Sequence, residues 1–66
     1  MCLSTVMNQD KKTLCENVML VKTTENGELI FTNILGISTS VFGSIEKINL
    51  MDNYITVRQE SASQNA

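Results

Sequence analysis

The chain has 66 residues, a formal net charge of −2 and an isoelectric point near 4.8. A domain of this size buries only about 60% of its unfolded surface, so we expect one small domain that gains stability by forming a homodimer. The acidic balance lacks the positive field of a nucleic-acid-binding protein, and we expect the chain not to bind nucleic acid.

The first predicted element is a strand from Leu3 to Met7. The polar cluster NQDKK at residues 8–12 follows it and is typical of a turn. Next, an Asn-Gly pair at Asn26 and Gly27 lies between two apolar runs. Both residues tolerate positive φ, so the pair predicts a hairpin with a type I′ turn.

The second half of the chain also has the pattern of strands and turns. Residues 34–43 predict a turn and a short strand, and Ile45–Leu50 predicts another strand, with a short helical turn there as the alternative. A turn at residues 51–53 then leads into a last strand, Tyr54–Arg58. In that strand Ile55 and Val57 share one face, which indicates the core side.

Together these elements predict an all-β fold, a small barrel or roll of about six or seven short antiparallel strands. Residues 1–60 are expected to form a single domain, and residues 61–66 a disordered tail. No nucleophile has a recognisable base beside it, which argues against an enzyme. No apolar run has the length of a membrane span and no signal peptide is evident, so we expect a cytoplasmic protein with no membrane partner.

Cys2 is the candidate metal ligand. Removal of the initiator methionine would leave an amine and a thiol on adjacent carbons, and these groups close a five-membered chelate ring on a metal ion. The chain has no histidine. Sulfur and nitrogen donors suit Ni(II), copper or zinc, and residue chemistry does not choose among them. The alternative interpretation is a small residue at a frayed chain end. For Cys15, beside Leu14 and ahead of a strand, we expect a packing role.

The sequence resembles the CooT family of small nickel-binding accessory proteins of carbon monoxide dehydrogenase maturation. The similarity covers nearly the whole chain before the tail. It is carried by Met1-Cys2-Leu3, Glu16-Asn17-Val18 with Val21, the glycine-bearing hairpin, Leu35-Gly36, Gly43-Ser44-Ile45, and Ile48 and Leu50 followed by Tyr54-Ile55. The resemblance implies a homodimer of small β-barrels that binds Ni(II) through Cys2 of each subunit and has a nickel enzyme as its client.

Two alternatives are kept. The HypC-type chaperones of hydrogenase maturation also begin Met-Cys, but they typically continue into a proline and a glycine, whereas this chain reads Ser4-Thr5-Val6 and contains no proline. Relatives of the CooT family have been labelled predicted RNA-binding proteins, so a small RNA-binding barrel is the other alternative. The three aromatic residues and the negative charge argue against it.

Overall fold

The computed structural model describes residues 3–60, so Met1, Cys2 and the predicted tail at residues 61–66 lie outside the described part of the chain. Within residues 3–60 the chain forms strands and no helix, which confirms the predicted all-β class. The strands are β1 (Ser4–Met7), β2 (Thr13–Thr23), β3 (Glu28–Asn33), β4 (Ser38–Asn49) and β5 (Tyr54–Gln59). Because these residues contain no helix, they also contain none with the length and hydropathy of a membrane span.

The five strands close into a barrel in the order of the chain. Consecutive strands pair in antiparallel fashion, as predicted. The barrel is closed by a parallel pairing of β1 with β5, in which Val6 lies opposite Ile55. A parallel pairing was not predicted. Closure leaves β1 between β2 and β5, so Ser4–Met7 form part of the wall of the barrel.

The number of strands is five in the described residues, and the prediction of six or seven is wrong. The difference lies in β4, which runs without a break through Gly43. Up to Phe42, β4 pairs with β3, and from Gly43 onward it pairs with β5. One long strand thus replaces the two short strands predicted on either side of Gly43. The alternative of a helical turn after Gly43 is also wrong.

Glycine is required at position 43 because the two strands approach closely there. A Cβ atom on Gly43 would overlap the carbonyl oxygen of Arg58 in β5. The absence of a side chain therefore lets β4 change partner and lets the sheet bend into a barrel.

The core is one cluster of six buried apolar side chains, contributed by β1, β2, β3 and β5. They are Val6, Val18, Leu29, Phe31, Ile55 and Val57. Ile55 and Val57 do share the inward face, as the alternation in β5 predicts. Phe31, Val6 and Val57 have no exposed surface, so they form the centre of the core.

Three of the four connections between strands contain the same type of loop. Asn8, Thr24 and Asn33 each begin a four-residue loop, and the side-chain oxygen of each accepts hydrogen bonds from two backbone N–H groups within that loop or directly after it. The last loop residue has positive φ: Lys11 at 63°, Gly27 at 83° and Gly36 at 82°. The hairpin predicted at Asn26-Gly27 is confirmed, but its turn is not type I′, because Asn26 does not have positive φ.

Candidate functional site

The predicted metal ligand, Cys2, lies outside the described residues, and its assignment stays a prediction. The structure does place the residues that follow it. Leu3 is half-buried, and the backbone N–H of Thr5 donates to the carbonyl oxygen of Asn53 at 3.1 Å. Ser4 pairs with Val18 across the β1–β2 ladder. The start of β1 is therefore held on both sides, by β2 and by the β4–β5 loop.

Two loops with exposed apolar side chains flank the start of β1. On one side, the backbone N–H of Ile34 in the β3–β4 loop donates to the carbonyl oxygen of Asn17 at 3.1 Å, next to Val18. On the other side lies the β4–β5 loop, whose Asn53 contacts Thr5. We call the exposed apolar residues of these two loops the apolar loops. They are Ile34, Leu35, Ile37, Leu50 and Met51.

The side chains of the apolar loops are largely exposed to solvent. Leu35 and Leu50 are each 77% exposed and Met51 is 90% exposed. Each loop carries at least two exposed apolar side chains that are close in sequence, and groups of this kind are typical of surfaces that bind another protein. The sequence did not predict this surface, because apolar residues in loops give no periodic signal. The two loops lie beside Ser4 and Thr5, which closely follow Cys2 in the sequence.

Cys15 has a different environment. It lies in β2, opposite Val6 in the ladder, and it packs against the core cluster while remaining half-buried. Its Sγ atom lies 4.0 Å from Oγ1 of Thr39 in β4. These contacts agree with the packing role predicted for this thiol. Cysteine, aspartate and glutamate side chains within residues 3–60 form no group of three or more that could hold a metal ion.

The aspartates at positions 10 and 52 do not form a carboxylate pair. Asp10 lies in the β1–β2 loop, at the end of β1, and Asp52 lies in the β4–β5 loop, beside the start of β1. Both positions are loops, as predicted. The backbone N–H of each donates to an asparagine side chain, that of Asp10 to Asn8 at 2.9 Å and that of Asp52 to Asn49 at 2.8 Å. Both aspartates therefore lie in loops that an asparagine side chain stabilises through hydrogen bonds.

A second surface feature is a groove on the outer wall of the barrel, where β1, β5 and β4 lie side by side. It encloses about 460 Å³, and we call it the wall groove. Its lining includes Met7, Gln9, Lys11, Lys47, Tyr54 and Thr56. These residues come from three separate parts of the chain, and sequence reasoning did not connect them.

The aromatic residues are dispersed over the molecule. Phe31 is fully buried in the core, and Phe42 is 53% exposed on β4. Tyr54 lies on the outer wall, in the wall groove. Recognition of single-stranded RNA usually relies on several exposed aromatic rings that stack on bases, so burial of Phe31 leaves little of such a surface. That the chain does not bind nucleic acid stays a prediction.

Comparison with known proteins identifies the family. The family described as CO dehydrogenase accessory protein CooT has a sequence model that matches residues 1–58. The match includes Cys2, the five strands apart from the last residue of β5, and both apolar loops. No curated protein sequence matches the chain. The resemblance noted from the sequence is thus confirmed over most of its length, and the chain belongs to the CooT family of CO dehydrogenase accessory proteins.

Proposed function

We propose that this protein is a nickel-binding accessory protein, which binds Ni(II) through Cys2 and delivers it to a nickel enzyme such as CO dehydrogenase in the cytoplasm. The observation that carries the proposal is the family match over residues 1–58, a span that includes Cys2, to CO dehydrogenase accessory proteins. Nickel is the cargo of this protein, so binding has to be reversible. Ligands near a chain end suit that requirement, since the donors of a client can approach and replace them one at a time.

We further propose that the site is shared by two chains, each of which contributes its Cys2. The apolar loops support this part of the proposal. They flank the start of β1, and pairing two copies over it would cover Leu35, Leu50 and Met51 while bringing Ser4 of one chain close to Ser4 of the other. Covering apolar surface also adds the burial that a 66-residue domain lacks on its own.

The chemistry of the donors fits Ni(II). A thiolate with amine or amide nitrogens forms the square-planar or tetragonal field that Ni(II) prefers. Thiolate coordination requires loss of the thiol proton, so binding should weaken as the pH falls and should release protons. Cys15 is half-buried against the core and lies 4.0 Å from Thr39, which makes it the natural internal control.

The proposal is tested by titrating the metal-free protein with Ni(II) and recording its absorbance. We expect thiolate-to-nickel charge-transfer bands in the near ultraviolet for the parent protein and for Cys15→Ser, and none for Cys2→Ser. A circular dichroism spectrum of each variant checks the fold. Bands that persist in Cys2→Ser, or that disappear only in Cys15→Ser, would contradict the proposal.

A variant with extra residues before Met1 distinguishes between the two possible nitrogen donors, the free amine of Cys2 and the downstream amide nitrogens. If the free amine of Cys2 is a ligand, the extension should weaken nickel binding while it leaves the thiol in place. If nickel uses the sulfur and downstream amide nitrogens, the extension should change the affinity little. Both results keep Cys2 as a ligand, and they assign the nitrogen that completes the chelate.

A further inference from the structure

The wall groove is lined by residues other than those of the apolar loops and has its own chemistry. Its floor is the outward face of the parallel β1–β5 pair, where Met7 lies opposite Thr56. In the neighbouring ladder Lys47 of β4 also lies opposite Thr56. The β1–β2 loop, with Lys11, forms the other wall. A bulge in β4 between Ile45 and Lys47 shapes the groove, because it breaks the regular pairing with β5 at that point.

The charge of the wall groove is opposite to that of the whole protein. The chain has a net charge of −2, yet Lys11 and Lys47 both line the groove. Its one lining carboxylate, Glu46, is paired with Arg58, with Nε and Oε2 3.1 Å apart. Within residues 3–60, neither lysine has a carboxylate oxygen within 4.0 Å of its amino group. The two lysines therefore leave positive charge at the groove that no described carboxylate neutralises.

Tyr54 adds a polarised hydroxyl to these charges. The Lys47 Nζ atom lies 5.6 Å from the centre of the Tyr54 ring, within the range of a cation–π contact. The side chains of Asn49 and Lys47 lower the pKa of Tyr54 below its ordinary value of 10.0. Both groups thus stabilise negative charge at the phenol oxygen. The same environment would favour an anionic group of a ligand beside the hydroxyl.

We propose that the wall groove binds a small organic anion that carries carboxylate or phosphate groups. Lys11 and Lys47 would contact its charged groups, the Tyr54 hydroxyl would donate a hydrogen bond, and Met7 would contact its carbon skeleton. The volume of about 460 Å³ falls within the range of small-molecule sites, about 300–1,000 Å³. The proposal is independent of nickel and of Cys2.

The experiment is an NMR titration of the metal-free, ¹⁵N-labelled full chain with sodium citrate and, separately, with glycerol phosphate. Sodium chloride at the same ionic strength is the reference. We expect saturable shifts at the amides of Met7, Lys11, Lys47 and Thr56 with at least one of the two probes. The probe that binds more tightly identifies whether carboxylate or phosphate is preferred.

Matched variants test which charges are responsible. Lys47→Gln should weaken binding about tenfold or more, because it removes a charge-assisted hydrogen bond. Lys11→Gln should also weaken binding. Lys22→Gln removes the same charge from β2, outside the groove lining, and should leave the affinity unchanged. The dispersion of each spectrum confirms that the variant is folded.

Three results would overturn the proposal. The first is shifts that rise linearly with either probe and do not saturate. The second is a loss of affinity in Lys22→Gln equal to that in Lys47→Gln, which would mean that net charge alone attracts the anion. The third is binding of an acidic peptide at these residues without binding of either small probe, which would make the groove a protein-binding surface.

Discussion

Gly43 of β4 lies against the backbone of Arg58 in β5 so closely that a Cβ atom at position 43 would overlap the Arg58 carbonyl oxygen. This contact allows one continuous strand to leave β3 and join β5. We expect Gly43→Ala to lower the free energy of unfolding by about 3 kcal/mol, because backbone atoms have to move apart. Urea unfolding followed by circular dichroism measures the loss.

Gly27→Ala is the matched control for Gly43. Gly27 also has positive φ, at 83°, but an added Cβ there would meet no atom within 4 Å. Only backbone strain applies, so the expected loss is about 1–2 kcal/mol. If Gly43→Ala is no more destabilising than Gly27→Ala, the close approach of β4 and β5 is wrong.

The loop after β1 offers a stabilising substitution. Lys11 has a φ of 63°, at the position where Gly27 and Gly36 stand in the two related loops. Glycine adopts this conformation without strain, but it also makes the unfolded chain more flexible. We expect Lys11→Gly to raise the free energy of unfolding by about 0.5–1 kcal/mol.

Lys12→Gly removes the same charge one residue later, where φ is not positive. It should lower the free energy of unfolding by about 0.5–1 kcal/mol, because glycine there only adds flexibility to the unfolded chain. Equal effects of the two substitutions, measured by urea unfolding, would show that charge and not backbone conformation decides the result.

Much of the fold could be predicted from short-range patterns. Alternation in β5 placed Ile55 and Val57 in the core, and the Asn-Gly pair located the β2–β3 hairpin. Patterns of this kind depend on residues that are neighbours in sequence. The parallel pairing of Val6 with Ile55 joins residues far apart in the chain, and no local pattern indicates it. The passage of β4 through Gly43 was missed for the same reason, since it depends on Arg58.

The candidate functional residues likewise differ in whether the sequence predicts them. Cys2 was proposed from the chemistry of a single residue, which needs no fold. The apolar loops were not predicted as a surface, because Leu35 and Leu50 belong to different loops that flank β1 only when the barrel closes. The wall groove likewise joins Lys11 to Lys47 across three strands.

Tyr54 provides a direct optical test of the electrostatics on the barrel wall. It is the only tyrosine in the chain, which has no tryptophan, so its phenolate absorbance can be followed without interference. Asn49 and Lys47 lower its pKa, so the folded protein should lose the phenol proton at a lower pH than the protein in urea. In the pH range between the two pKa values the unfolded chain binds more protons, and the free energy of unfolding should therefore rise with pH.

Lys47→Gln should raise the pKa of Tyr54 toward 10.0, since it removes the second of the two groups that lower it. Lys22→Gln is the control and should leave the titration unchanged. A Tyr54 titration in the folded protein that coincides with that in urea would contradict the contacts described for Asn49 and Lys47.

The exposed side chains of the apolar loops lead to a specific prediction about assembly. At tens of micromolar, a range that covers the usual strength of specific interfaces, the parent protein should sediment at twice the 7.3 kDa mass of one chain. Combined Leu35→Ser and Leu50→Ser substitutions should shift it to the monomer. These side chains are each 77% exposed in a single chain, so their replacement should leave the fold of the domain intact.

Phe42→Ser is the control for assembly. Phe42 is 53% exposed, but it lies where β4 pairs with Glu28 at the start of β3, away from the start of β1. Its substitution should leave the dimer unchanged. A parent protein that is monomeric, or a dimer lost equally in Phe42→Ser, would rule out the apolar loops as the subunit interface.

The central claim, that two chains share one Ni(II) through Cys2, is tested most directly by native mass spectrometry of the nickel-loaded protein. We predict a dimer that carries one Ni(II) for the parent and for Cys15→Ser, and a metal-free dimer for Cys2→Ser. One Ni(II) on each monomer, or Cys2→Ser dimers that retain nickel at the level of the parent, would contradict the claim.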